Sequence, residues 1–164
     1  MDTSGRALFD YSDEGGPDFS RYTTDPFWAG PGRTLLELPL TSTFIGPLRR
    51  VGAPLFAWGK KIPLWRSLLA RSRLLQRVSI TPEENPIDVA LKAAERLIKD
   101  GQPIIGLSYH SPTVLPGYTP YVQNAAELKT FYDWWDAMFE LFAKYGVTAV
   151  RAADIVAAAD QARG

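Results

Sequence analysis

The 164-residue sequence contains no cysteine and one histidine. The absence of cysteine excludes a disulfide framework and any thiolate metal site. The single histidine, His110, excludes a metal site built from two or more histidines of this chain. The side chain most often used for acid–base chemistry near neutral pH is therefore available once.

The sequence also lacks net charge and long apolar runs. Lys plus Arg and Asp plus Glu both number 18, which disfavours a globally basic nucleic-acid-binding protein. No stretch of ~18 uninterrupted apolar residues occurs, so no transmembrane helix is expected. The first residues show no basic start followed by an apolar run, as a secretory signal would. We therefore expect a cytoplasmic protein. A further segment upstream of this sequence would remove the basis for that expectation.

The residues that are abundant are typical of one folded domain. Hydrophobic residues make up 46% of the chain and aromatic residues 12%, which is enough to form a core. Gly and Pro number 13 each, which predicts long loops. Residues 1–34 are acidic and rich in Gly and Pro, and we expect them to be irregular. Residues 35–164 show strand and helix patterns.

Short apolar segments alternate with amphipathic ones from residue 35 onward. Pro86 and Gly101 delimit one predicted helix, and Asn124 and Gly146 delimit another. This order predicts an α/β architecture with parallel strands joined by right-handed crossovers. The predicted strands are 35–41, 78–81, 103–110 and 147–150, and the predicted helices are 64–77, 86–100, 125–145 and 152–162.

His110 is the first candidate for chemistry. It ends the apolar strand 103–110 and opens a proline-rich loop, and the carboxyl ends of strands carry the active sites of α/β folds. An imidazole at that place can act as a general acid or base. The alternative is a histidine satisfied by a backbone partner, and position alone does not decide between the two.

Two charged segments are further candidates. Residues 49–77 contain eight basic residues and no acid, a composition that suits an anionic membrane or a phosphate group. We favour a solvated helix face whose apolar side chains, among them Trp65 and Leu68, pack inward. The N-terminal acids offer carboxylates to a hard cation, but their spacing does not match a calcium loop and a solvated loop is favoured: Asp10, Asp13, Glu14 and Asp18.

The aromatic residues of helix 125–145 recur at three- and four-residue steps. This spacing predicts that they pack in the core rather than form a sugar-stacking platform. Trp134 lies off the main apolar stripe. It is the one ring of this helix that we keep as a candidate ligand contact.

Several short motifs follow one another in a characteristic order. They are GGPDF at 15–19, LLELPLT at 35–41, LSYHSPT at 107–113 and PGYTPY at 116–121. Together with the closing helix and strand in 128–155, they resemble polysaccharide deacetylases of the NodB-homology group, carbohydrate esterase family 4. The resemblance covers nearly all of this chain but only about the C-terminal half of the family's domain.

The resemblance implies a partial, distorted (β/α) barrel and a metal-dependent hydrolase that removes N-acetyl or O-acetyl groups from carbohydrate. It implies that His110 is the general acid that protonates the departing sugar amine. Family members use a divalent, zinc-like metal ion. The residues that the resemblance places against the carbohydrate are Leu107, Ser108, Tyr109, Ser111 and Trp134.

The family's metal ligands and catalytic base precede the matched region and do not occur in this sequence. Whether the chain is an enzyme on its own is therefore left open. We expect association with a missing N-terminal half or with itself, because a half-barrel exposes strand edges and an apolar face. The alternative is a non-catalytic half-barrel that binds a glycan or a protein. No nucleic-acid partner is expected.

Overall fold

The structure is a computed structural model that describes residues 1–163, apart from the side chain of Lys61. Gly164, which the predicted domain includes, lies outside the described residues. The described chain is a mixed α/β structure with five α-helices and two small antiparallel sheets. None of these helices is both long and apolar enough to cross a bilayer. The helices are α1 (Gly52–Trp58), α2 (Trp65–Arg71), α3 (Ile87–Lys99), α4 (Ala125–Tyr145) and α5 (Ala152–Gln161), and the strands are β1 (Phe27–Ala29), β2 (Leu35–Glu37), β3 (Ser42–Ile45) and β4 (Gln76–Ser79).

The sheets differ from the parallel arrangement that the element order predicts. β1 pairs with β2, and β3 pairs with β4 so that Thr43 lies opposite Val78; both pairs are antiparallel. Parallel pairing appears among the described residues only as bridges between 2–6 and 36–40. A right-handed crossover needs two adjacent parallel strands, and α1 and α2 connect two antiparallel ones. The described residues accordingly form no closed barrel.

The main core lies between α3, α4 and the β3–β4 sheet. The small side chains of Ala90, Ala93 and Ala94 on α3 are fully buried. They allow α4 to approach closely and to pack through Trp134 and Met138. A second cluster holds α1 and α2 against the same sheet and consists of Phe44, Phe56, Leu69 and Leu75.

The ends of α4 confirm the prediction from its sequence. Asn124 Oδ1 accepts a hydrogen bond from the backbone N–H of Glu127 at 3.0 Å. The Glu127 carboxylate in turn accepts from the backbone N–H of Gln123 at 2.6 Å, one residue earlier than in a standard capping box. Gly146 ends the helix in the left-handed region at φ 68°, where a residue without a Cβ is favoured.

The predicted helix 64–77 is too long. α2 ends at Arg71, and the backbone N–H groups of Leu74 and Leu75 turn back to the carbonyl of Leu69. Arg73, at φ 56°, marks the reversal. The chain then enters β4, which begins two residues before the predicted strand 78–81.

The predicted strand 35–41 is interrupted near Pro39. β2 stops at Glu37, and a separate strand, β3, begins at Ser42. Proline has no backbone N–H to donate to a ladder, which explains the break. The segment 1–34, predicted to be irregular, is so for most of its length but contributes β1.

The predicted strands 103–110 and 147–150 are not strands in this structure. Both segments carry no assigned strand, and their apolar residues are half-buried or exposed. They line the same cavity of about 700 Å³. An apolar run indicates burial but a ladder also needs a neighbouring strand, and among the described residues neither segment has one.

Replacing Asn124 by alanine is expected to lower the free energy of unfolding by about 1 kcal/mol, because the N–H of Glu127 loses its acceptor. Urea denaturation followed by circular dichroism measures this. Thr130→Ala, on the exposed part of the same helix, is the control and should cost nothing, since alanine favours helix. Equal stability of the two variants would contradict the capping role.

Candidate functional site

His110 lies where the extended segment 103–109 ends and a short 3₁₀ helix, Ser111–Val114, begins. Its backbone N–H donates to Oε1 of Glu83 at 2.8 Å, and its Nδ1 lies 2.7 Å from Oε2 of the same carboxylate. The hydroxyl of Thr113 also donates to Glu83 Oε1, at 2.5 Å. One carboxylate therefore holds both the main chain and the ring of His110.

The two members of this His110–Glu83 pair differ sharply in exposure. The Glu83 side chain is 4% exposed and the His110 side chain 71%. Because an ionised carboxylate only accepts hydrogen bonds, Nδ1 must carry the hydrogen between them. Nε2 is then the ring nitrogen left to exchange a proton with a ligand.

A cavity of about 250 Å³ lies beside the pair, close to the lower end of ligand pockets at about 300 Å³. Arg6 lines it, donates to Ser79 Oγ at 2.6 Å and forms an ion pair with Glu84. Burial disfavours the Arg6 charge, but the hydrogen bond and ion pair with Glu84, together with Tyr11, outweigh it and raise the pKa of the guanidinium. The cavity therefore contains a fixed cation.

Two tyrosines flank His110. The ring of Tyr121 stacks on the imidazole, with centroids 5.9 Å apart and an interplanar angle of 14°. Tyr109 packs edge-on against Phe131 and Trp135, with centroids 5.5 Å apart in each pair. Both tyrosines remain partly exposed. Their rings place apolar surface next to an acid–base group.

The structure brings some of the predicted site residues together. Ser108, Tyr109 and His110 line the same cavity. Ser111 follows directly and is exposed. Leu107 does not line this cavity; it packs against the main core and lines the larger cavity between 103–107 and 147–150.

Trp134 lies in the core rather than in the site. It is 2% exposed and packs among the residues between α3 and α4. Its position off the apolar stripe does not place it in solvent, because the buried alanines of α3 cover that side. This burial leaves no ring face for a ligand and corrects the expectation that Trp134 contacts one.

Sequence patterns do not identify Glu83 or Arg6. Glu83 lies 27 residues before His110, and nothing local connects the two. The available signal is that Glu83 follows the end of β4 by four residues, where side chains of neighbouring strand ends can meet. Arg6 lies further still, in the segment expected to be irregular.

The N-terminal acids are engaged by a lysine. Lys60 Nζ lies 2.5 Å from Asp10 Oδ2 and 3.1 Å from Asp13 Oδ2. The hydrogen bond from Lys60, with further bonds from Ser12, lowers the pKa of Asp10. Within residues 1–163 no three His, Cys, Asp or Glu side chains are grouped to hold a metal ion. The described residues thus do not fit the divalent metal that the resemblance implies.

Comparisons with protein-family models, curated proteins and solved structures found no match for this chain. The family resemblance therefore depends on the sequence motifs alone.

Replacing Glu83 by glutamine is expected to reverse the tautomer of neutral His110. The amide oxygen would accept from the His110 backbone N–H and from Thr113, which turns the amide NH₂ toward Nδ1. Nδ1 must then accept, so the hydrogen moves to Nε2. Long-range ¹H–¹⁵N NMR reads this directly, because the chain has one imidazole.

Glu84→Gln is the matched control, since Glu84 pairs with Arg6 and not with His110. It should leave the Nδ1–H tautomer unchanged. An Nε2–H tautomer in the unmodified protein would show that Glu83 does not orient the ring.

Proposed function

We propose that this chain is the C-terminal part of a carbohydrate deacetylase related to the NodB-homology group, with His110 as its general acid. The observation that carries the proposal is the hydrogen bond between His110 Nδ1 and the buried carboxylate of Glu83. It distinguishes His110 from a histidine satisfied by a backbone partner, which was the alternative for a strand-end position.

The chemistry follows from the orientation of the ring. When an N-acetyl group is hydrolysed, the C–N bond breaks and its electron pair goes to the sugar nitrogen, which needs a proton. A protonated His110 donates that proton from Nε2. Glu83 stabilises the imidazolium and keeps Nε2 directed outward, as a carboxylate does in other histidine pairs.

The neighbours of His110 support a carbohydrate ligand. Tyr121 stacks on the imidazole and is partly exposed, and Tyr109 and Ser108 line the cavity with His110. The charged Arg6 at the cavity wall can donate hydrogen bonds to sugar or acetyl oxygens. These groups can orient a sugar without carrying out a step themselves.

The divalent metal and the base must come from elsewhere if the proposal is correct. The single histidine is already paired with Glu83, and we derive no step through a metal. A further segment of this protein or a second chain would supply these groups. The segments 103–109 and 147–150 have no strand partner within residues 1–163. This supports this part of the proposal, because additional strands could pair with them.

Binding to N-acetylated sugar tests the site in the chain itself. Triacetylchitotriose is expected to shift the His110 imidazole and Tyr109 signals in NMR spectra, whereas cellotriose, which lacks the acetamido groups, should shift them far less. Tyr132→Phe, on exposed α4 surface, is the control and should bind like the unmodified protein. Equal responses to the two sugars, or none, would contradict the proposal.

Upstream DNA tests the catalytic part. We expect an in-frame segment that encodes an aspartate pair and a His-x-x-x-His motif. The longer product should release acetate from triacetylchitotriose, and His110→Gln should lower that rate about 10²–10⁴-fold. An intact unrelated sequence upstream, together with sugar binding, would instead favour a non-catalytic glycan-binding module.

A further inference from the structure

We propose that the pair of helices α1 and α2 docks on an anionic lipid surface. The contact is made by an apolar tip, defined as Trp58, Ile62, Leu64 and Leu68, with the exposed Arg71 one turn beyond Leu68 on α2. This proposal goes beyond the proposed deacetylase function and depends on a different part of the molecule.

The tip exposes four large apolar side chains, and one of them, Leu68, is predicted from the sequence to pack inward. Trp58 is 66% exposed, Leu64 80% and Leu68 62%, and Ile62 is exposed as well. The expectation that Leu68 faces the core is therefore wrong. Leu69 and the half-buried Trp65 make the contacts with the second core cluster instead.

The tip is built into the fold rather than frayed. Trp65 anchors it, because its indole N–H donates to the carbonyl of Leu55 at 3.2 Å and its ring packs edge-on against Trp58. A Cβ at Gly59 would lie 1.8 Å from the Trp65 ring, so only glycine permits this close approach.

The main chain holds the leucines outward. Leu64 adopts the left-handed conformation at φ 60°, which is uncommon for a leucine. The backbone N–H of Leu68 donates to the carbonyl of Leu64 at 2.8 Å, so the two leucines lie one helical turn apart on the same face. An exposed apolar face held by a strained residue is a feature typical of a binding surface.

Part of the charge of this region is complementary to anionic lipid, although Lys60 is paired with Asp10 and Asp13 and Arg49 with Asp100. Residues 49–77 contain eight basic residues and no acid. Arg50, Arg71 and Arg73 are exposed and form no ion pair within the described residues. Arg71 follows Leu64 by seven positions and therefore lies on the same helix face. Its guanidinium can reach phosphate while the leucines enter the interface.

The apolar tip also decides between lipid and nucleic acid. A nucleic-acid backbone would use the arginines but leave the exposed leucines and Trp58 in water. A lipid interface accommodates both the arginines and the apolar side chains, because it has anionic headgroups above an acyl layer.

Flotation with vesicles tests the proposal on the full chain. The protein should float with vesicles of phosphatidylglycerol and phosphatidylcholine and not with phosphatidylcholine alone, and added salt should weaken binding. The double variant Leu64→Ser, Leu68→Ser should lower the partition coefficient at least about tenfold, given the transfer free energy of leucine. The double variant Leu115→Ser, Tyr118→Ser removes comparable exposed apolar side chains from another loop and should bind normally.

Several results would overturn the proposal. They are absence of binding to anionic vesicles, equal binding to phosphatidylcholine alone, or equal loss in both double variants when circular dichroism shows both to be folded. Tighter binding to a single-stranded oligonucleotide that the leucine substitutions leave unchanged would assign the arginines to nucleic acid. Lipid-free dimers that the same substitutions dissociate would assign the tip to a second copy of the chain.

Discussion

The organisation of the site depends on the hydrogen bonds that the Glu83 carboxylate accepts. Its side chain is almost fully buried, and a buried charge is costly unless it is well hydrogen-bonded. Three donors satisfy it, and all come from one segment: the backbone and ring of His110 and the hydroxyl of Thr113. The need to solvate one carboxylate therefore fixes the loop after residue 109 against the turn after β4, and with it the direction of the only imidazole.

The packing of α3 against α4 holds the turn after β4 and the loop after residue 109 in place. α3 follows the Glu83 turn and α4 follows the His110 loop, and the two helices share the alanine-lined core with Met138. The packed helices set the distance between the two segments, and the hydrogen bonds set the orientation. The segment 103–109, which leads directly into His110, has no strand partner among the described residues.

What the sequence predicts well is local. Asn124 and Gly146 mark the ends of α4 because capping and left-handed backbone depend on residues within one turn. The strand-end rule makes His110 a candidate, although 103–110 is not a strand in the structure. Its partner Glu83 is a long-range contact with no local pattern. The prediction of a strand at 103–110 is wrong for the same reason, because a strand also needs a partner that is distant in sequence. Periodicity places Trp65 and Leu68 on one inward face, yet Leu68 is exposed. The pattern of a seven-residue helix does not determine which of its sides turns toward the core.

Equal numbers of acidic and basic residues conceal an uneven distribution of charge. The N-terminal acids are acceptors for a neighbouring base, since Asp10 and Asp13 bind Lys60. That pairing uses acids near the helix pair but leaves exposed arginines such as Arg71 unneutralised on the face that carries Leu68. Zero net charge therefore argues against a globally basic nucleic-acid-binding protein without arguing against one basic surface. Because Leu64, Leu68 and Arg71 lie on one face of α2, an anionic lipid surface, which contacts both apolar and basic side chains, explains that face better than water does.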